Sequence, residues 1–143
     1  MNRPPLRPRS HYALFRRLTT RWADNDVYGH VNNTVHYAWF DTTVNTCLVE
    51  QGGLDITEGA VIGLVVESGC RYAKPLAFPG DVEIGLKACP PGTSSVRYEL
   101  GVFAPGAADA AAEGYFVHVF VDRATRRPVA IPPELFRALE RLA

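Results

Sequence analysis

One stretch of this chain, residues 33–51, repeats apolar side chains at helical spacing, and almost every other patterned stretch reads as strand. Tyr37, Phe40, Val44, Cys47 and Leu48 mark one face of that helix. Asn32 and Asn33 bring side-chain oxygens that accept first-turn N–H groups, and Gly52-Gly53 supplies the stop. Such a helix runs for about five turns. Extended runs are expected at Tyr12–Trp22 and Val61–Tyr72. Val82, Ile84, Leu86 and Ala88 alternate with polar or small neighbours, as do Val96, Tyr98, Leu100 and Val102. Tyr115 to Val121 is apolar at nearly every position, as a central strand covered on both faces should be. Pro132-Pro133-Glu134 opens a short last helix carrying Leu135, Leu139 and Leu142. The order is β-α-β-β-β-β, and one helix covers five strands only if the sheet curls around it. The expectation is therefore an α+β chain, a five-stranded antiparallel sheet wrapped on a single central helix.

The 143 residues suit one domain, placed at 11–143, behind a Pro- and Arg-rich lead-in over residues 1–10 that is expected to be poorly ordered. The Ala/Gly-rich stretch from Ala104 to Ala112 reads as a loose connection. Fifteen basic residues balance fifteen acidic ones, which removes the electrostatic case for binding nucleic acid. Cys47, Cys70 and Cys89 form no C-x-x-C pair, so neither a zinc site nor a disulfide framework is expected. No apolar run has the length of a membrane span, and the lead-in lacks the apolar core of a signal peptide. These features suggest a cytoplasmic protein with no membrane partner.

Chemistry concentrates where the first strand meets the helix, in Asp24-Asn25-Asp26-Val27-Tyr28-Gly29-His30-Val31-Asn32-Asn33. Carboxylates beside free helix N–H groups suit the handling of a carbonyl: one activates or delivers a nucleophile, the others hold the developing oxyanion. Asp24 reads as the brace of the turn, through backbone N–H groups or Arg21. Gly29 reads as a position of positive φ or close approach. His118, between Val117 and Val119 with no partner at metal-ligand spacing, reads as a hydrogen-bonded core histidine.

The pattern D-x-D-x-x-G-H-V-N-N, preceded by Arg21-Trp22 and followed by Tyr37 and Phe40-Asp41, resembles hotdog-fold acyl-CoA thioesterases of the 4-hydroxybenzoyl-CoA thioesterase type. Arg71-Tyr72-Ala73-Lys74-Pro75 with Gly80-Asp81 resembles their connection between the second and third strands. The resemblance implies hydrolysis of an acyl- or aroyl-CoA thioester to free acid and CoA, with no metal and no cofactor beyond the CoA of the substrate. It implies Asp26 as catalyst, either nucleophile or general base, and His30 either orienting the acyl group or locking the loop. Substrate contacts would come from Tyr28, Gly29, Asn33 and Gly69. Arg71 and Lys74 would meet the CoA phosphates, ahead of Arg123, Arg126 and Arg127. It further implies a homodimer or homotetramer with active sites between subunits. His36 and Asp41 depart from the family's usual tyrosine and glutamate, which bears on acyl specificity.

Two rivals share the fold. A non-catalytic module binding acyl-CoA or acyl carrier protein would have no use for Asp26. A dehydratase or hydratase would pair His30 with Asp26.

Overall fold

The structure is a computed structural model that describes residues 3–143. Five strands, β1 (Leu14–Thr19), β2 (Val61–Tyr72), β3 (Asp81–Ala88), β4 (Ser95–Phe103) and β5 (Ala112–Asp122), form one antiparallel sheet in the order β1-β3-β4-β5-β2. The long helix α1 (Asn33–Gly52) lies in its concave face, and α2 (Pro133–Glu140) packs beside α1. This is the hotdog arrangement. None of the described helices is long and apolar enough to cross a membrane.

Strand parity decides what faces α1. Ile84, Leu86, Tyr98, Leu100, Phe116 and Phe120 point inward and are buried against Phe40, Val44 and Leu48 of the helix. Phe40 rests on Gly114 of β5, where any Cβ would collide with its ring. His118 belongs to the same inward set, and its Nδ1 meets the Tyr98 hydroxyl at 3.1 Å. Burial pulls the His118 pKa down to about 4, so a neutral ring sits in the core.

The outer face carries the opposite parity, and here the structure corrects the sequence reading. The lead-in touches the sheet at particular points, and Arg7 N donates to Glu113 Oε1 at 3.1 Å (residues 1 and 2 lie outside the described region). Arg9 donates to Glu83 at 2.7 Å and stacks over Phe103, with its guanidinium carbon 4.7 Å from the ring centre. Tyr12 turns out of the expected strand and lies over Gly85 and Gly101; a Cβ at Gly101 would come within 2.6 Å of its hydroxyl oxygen. β1 accordingly starts at Leu14 and ends at Thr19, before a 3-10 turn at Trp22–Asp24. β5 starts at Ala112, inside the stretch expected to be loose, because Ala112 pairs with both Val102 and Tyr72.

Candidate active site

The link between β1 and α1 is built almost wholly from short hydrogen bonds. Asp24 is buried, and its carboxylate accepts from the Arg21 backbone N–H at 2.7 Å and from Arg21 Nε at 2.9 Å. Two residues on, Asp26 N donates to the His30 carbonyl at 2.9 Å, and Gly29 N donates back to the Asp26 carbonyl at 3.0 Å. Closing so tight a turn needs φ of +83° at Gly29, a conformation that glycine takes without steric cost. Asn25 joins the loop to the connection between β2 and β3: its Oδ1 accepts from Phe78 N at 2.9 Å. Val31 N adds a 2.7 Å bond to the Leu76 carbonyl.

Within this frame Asp26 is half-buried and held at both oxygens. Oδ1 accepts from Tyr28 N at 2.9 Å, and Oδ2 accepts from Asn32 Nδ2 at 3.2 Å. Asn32 is also the N-cap of α1, since its Oδ1 accepts from Thr34 N at 3.0 Å. The next amide, Asn33 N–H, has no partner among the described residues. It lies at the positive end of the helix dipole. The Tyr72 hydroxyl donates to the Asn33 carbonyl at 3.0 Å, joining the end of β2 to the helix start.

These pieces surround an open cleft of about 370 Å³, lined by Asp26, Tyr28, His30, Asn33 and Lys74 among the residues singled out from sequence. Gly29 completes the loop between them. His30 is exposed, and its ring makes no hydrogen bond among the described residues. Lys74 is exposed as well, with Nζ 3.8 Å from Asp109 Oδ2.

Gly69 and Arg71 are elsewhere, and strand parity is the reason. Both point to the outer face, where they line a second cavity of about 340 Å³. The Arg71 guanidinium is already engaged, at 2.6 Å from Glu113 and 2.9 Å from the Pro4 carbonyl, so it is no free cation for a phosphate. Gly69 makes room for the Tyr115 ring, which a Cβ would approach to 2.7 Å. Arg123 donates to the carbonyls of Gly59 and Ile56 and serves its own loop.

Tyr72 and His36 line the cleft instead. Tyr72 was legible in principle, since the residue after an outward Arg71 must point inward. Its phenol pKa is raised by burial, as is that of the Asp41 carboxyl on α1, while burial lowers the His36 ring.

The site combines a carboxylate fixed by its own turn, a helix-start N–H with no partner among the described residues, and an open cleft lined by both residues. Comparison with known proteins agrees in kind. The family model described as the thioesterase-like superfamily matches residues 20–139. The crystal structure of the PA5185 protein from Pseudomonas aeruginosa is 57% identical with a TM-score of 0.93, over 94% of each chain. The PA2801 protein of Pseudomonas aeruginosa, provisionally named a thioesterase, is 29% identical with a TM-score of 0.79, over 90% of this chain and 98% of that one. Slr0204, a 1,4-dihydroxy-2-naphthoyl-CoA thioesterase from Synechocystis, shares the fold at 15% identity and a TM-score of 0.79, covering 87% and 93%. No curated protein matches the chain. A match that begins beside the acidic loop and runs through every later strand puts this chain in the thioesterase-like superfamily, with its hotdog fold.

Proposed function

We propose that this protein is an acyl-CoA thioesterase and that Asp26 is its catalytic carboxylate. The observation that carries this reading is that Asp26 and Asn33, whose N–H has no partner among the described residues, line one cleft. A thioester carbonyl seated there would direct its oxygen at the helix N-terminus, where a preorganised donor stabilises the oxyanion. Asp26 would take a proton from a water attacking the carbonyl carbon, or attack that carbon itself and leave an anhydride for water to open. In either case the C–S bond breaks, the CoA thiolate is protonated as it leaves, and the net reaction adds one water. Lys74 is the one of the five candidate cations that lines this cleft, and it is our choice for a CoA phosphate.

The cleft of one chain is open, and the chain offers the means to close it. Val27 and Tyr28, the two residues after Asp26, are 96% and 84% exposed. β2 is an edge strand of 12 residues with Val66 61% exposed. Its first six residues, Val61–Val66, carry no charge, and an exposed edge of that kind serves for pairing with another chain. Pairing of β2 with β2 of a second copy, burying the loop residues of each, is the assembly we infer. The test is thiol release from short, medium, long and aromatic CoA esters: turnover supports an enzyme, while saturable binding without release would favour a binding module.

A further inference from the structure

His36 lies on the first turn of α1, 3% exposed, in the wall of the Asp26 cleft. Its ring is wedged between two aromatic neighbours: Tyr72 edge-on at 5.0 Å and Trp39 at 5.1 Å. A phenylalanine or leucine would fill that space without burying a polar atom. Nδ1 is sealed from solvent. The carbonyls of Asn32 and Asn33 lie close enough to favour a proton on the ring, yet neither makes a well-aligned bond to Nδ1. Nε2 is neither hydrogen-bonded nor fully sealed among the described residues, so it is the ring nitrogen that meets the cleft.

Burial keeps the ring neutral, and a neutral imidazole carries one proton, on Nδ1 or on Nε2. A hydroxyl both donates and accepts, so it pairs with Nε2 in either tautomer, whereas a plain alkyl chain leaves that nitrogen unpaired. Position narrows the match further. Residues three apart on a helix are about 5–6 Å apart at Cβ, so His36 stands one turn from Asn33. With the thioester oxygen at Asn33 N–H, Nε2 reaches a group on one of the first few carbons of the acyl chain.

We propose that His36 is a specificity residue, whose Nε2 hydrogen-bonds a hydroxyl near the carbonyl end of the acyl group, making short hydroxyacyl thioesters the preferred substrates. The inference rests on the thioesterase reading and names its substrate class. The test compares kcat/KM for 3-hydroxybutanoyl-CoA, butanoyl-CoA and succinyl-CoA. The hydroxyacyl ester should lead the other two by about tenfold, the worth of one good neutral hydrogen bond. His36→Phe should bring the hydroxyacyl-to-alkyl ratio close to one, and His36→Gln, which restores a hydrogen-bonding side chain, should recover part of it. A ratio unchanged in His36→Phe would overturn the proposal, as would no preference in the unaltered protein. A second measurement needs neither variant: ring ¹⁵N shifts of His36 during titration with a non-hydrolysable 3-hydroxyacyl thioether of CoA. Nε2 should move and Nδ1 should not; no movement overturns the proposal. If no ester is hydrolysed, the thioesterase reading fails, and the ring-nitrogen shift decides the role of His36 by itself.

Discussion

Asn32 Nδ2 donates to Asp26 Oδ2 at 3.2 Å while Asn32 Oδ1 caps the helix, so one side chain locks the acidic loop to the start of α1. Asn32→Ala should lose about 1 kcal/mol of stability with the cap. Asn32→Asp keeps a capping oxygen but replaces the donor with a second carboxylate. Its thiol release should therefore fall further than its thermal stability does. Melting curves and turnover measured on both variants check this, and equal losses in the two properties would speak against the coupling.

Phe40 packs on Gly114 with no space for a methyl group, so Gly114→Ala must push the helix from the sheet or twist the ring off its rotamer. Overpacking of this kind costs about 1–3 kcal/mol. Chemical denaturation should show a lower midpoint with an unchanged slope.

His118 gives the fold a pH dependence of definite sign. Its pKa is lowered from 6.5 to about 4 by burial. Above 6.5 the neutral ring costs nothing relative to the unfolded chain. As pH falls from 6.5 toward 4 the unfolded chain takes up a proton that the native state refuses, and stability declines by roughly 3 kcal/mol in total. His118→Phe should flatten that part of the stability profile, even though it leaves the Tyr98 hydroxyl without its partner. Denaturation midpoints at several pH values measure the difference in slope.

The local patterns in the chain identified α1 to within a residue and β2 at both ends, because caps and glycines punctuate the first and a long, largely apolar run defines the second. Asp24 as the brace and Gly29 at positive φ were legible for the same reason: their partners are a few residues away. What stayed hidden depends on residues far apart. Arg71 meets Glu113, 42 positions later, and Arg9 meets Glu83, 74 positions later, so neither the engaged guanidinium nor the docked lead-in leaves a local trace. Ala112 is a poor strand former alone and is extended only because strands on both sides pair with it.

The inferred assembly has its own check. Val66→Lys places a charge on the exposed β2 edge, which protects edges in other sheets. Light scattering should show a shift from dimer to monomer, and thiol release should fall with it because the cleft would stay open. A monomeric variant with full turnover would show that one chain holds a complete site.

Asp26→Asn is nearly isosteric and keeps an oxygen for Tyr28 N, so the loop should survive the change even though the bond from Asn32 Nδ2 is lost. The most direct measurement is the turnover number of this variant on whichever CoA ester the unaltered protein hydrolyses fastest. A carboxylate that acts as base or nucleophile predicts a loss on the order of 10² to 10⁴ in turnover, with a melting temperature only a few degrees lower for the lost Asn32 bond. Turnover within a few-fold of the unaltered protein would contradict Asp26 as the catalyst.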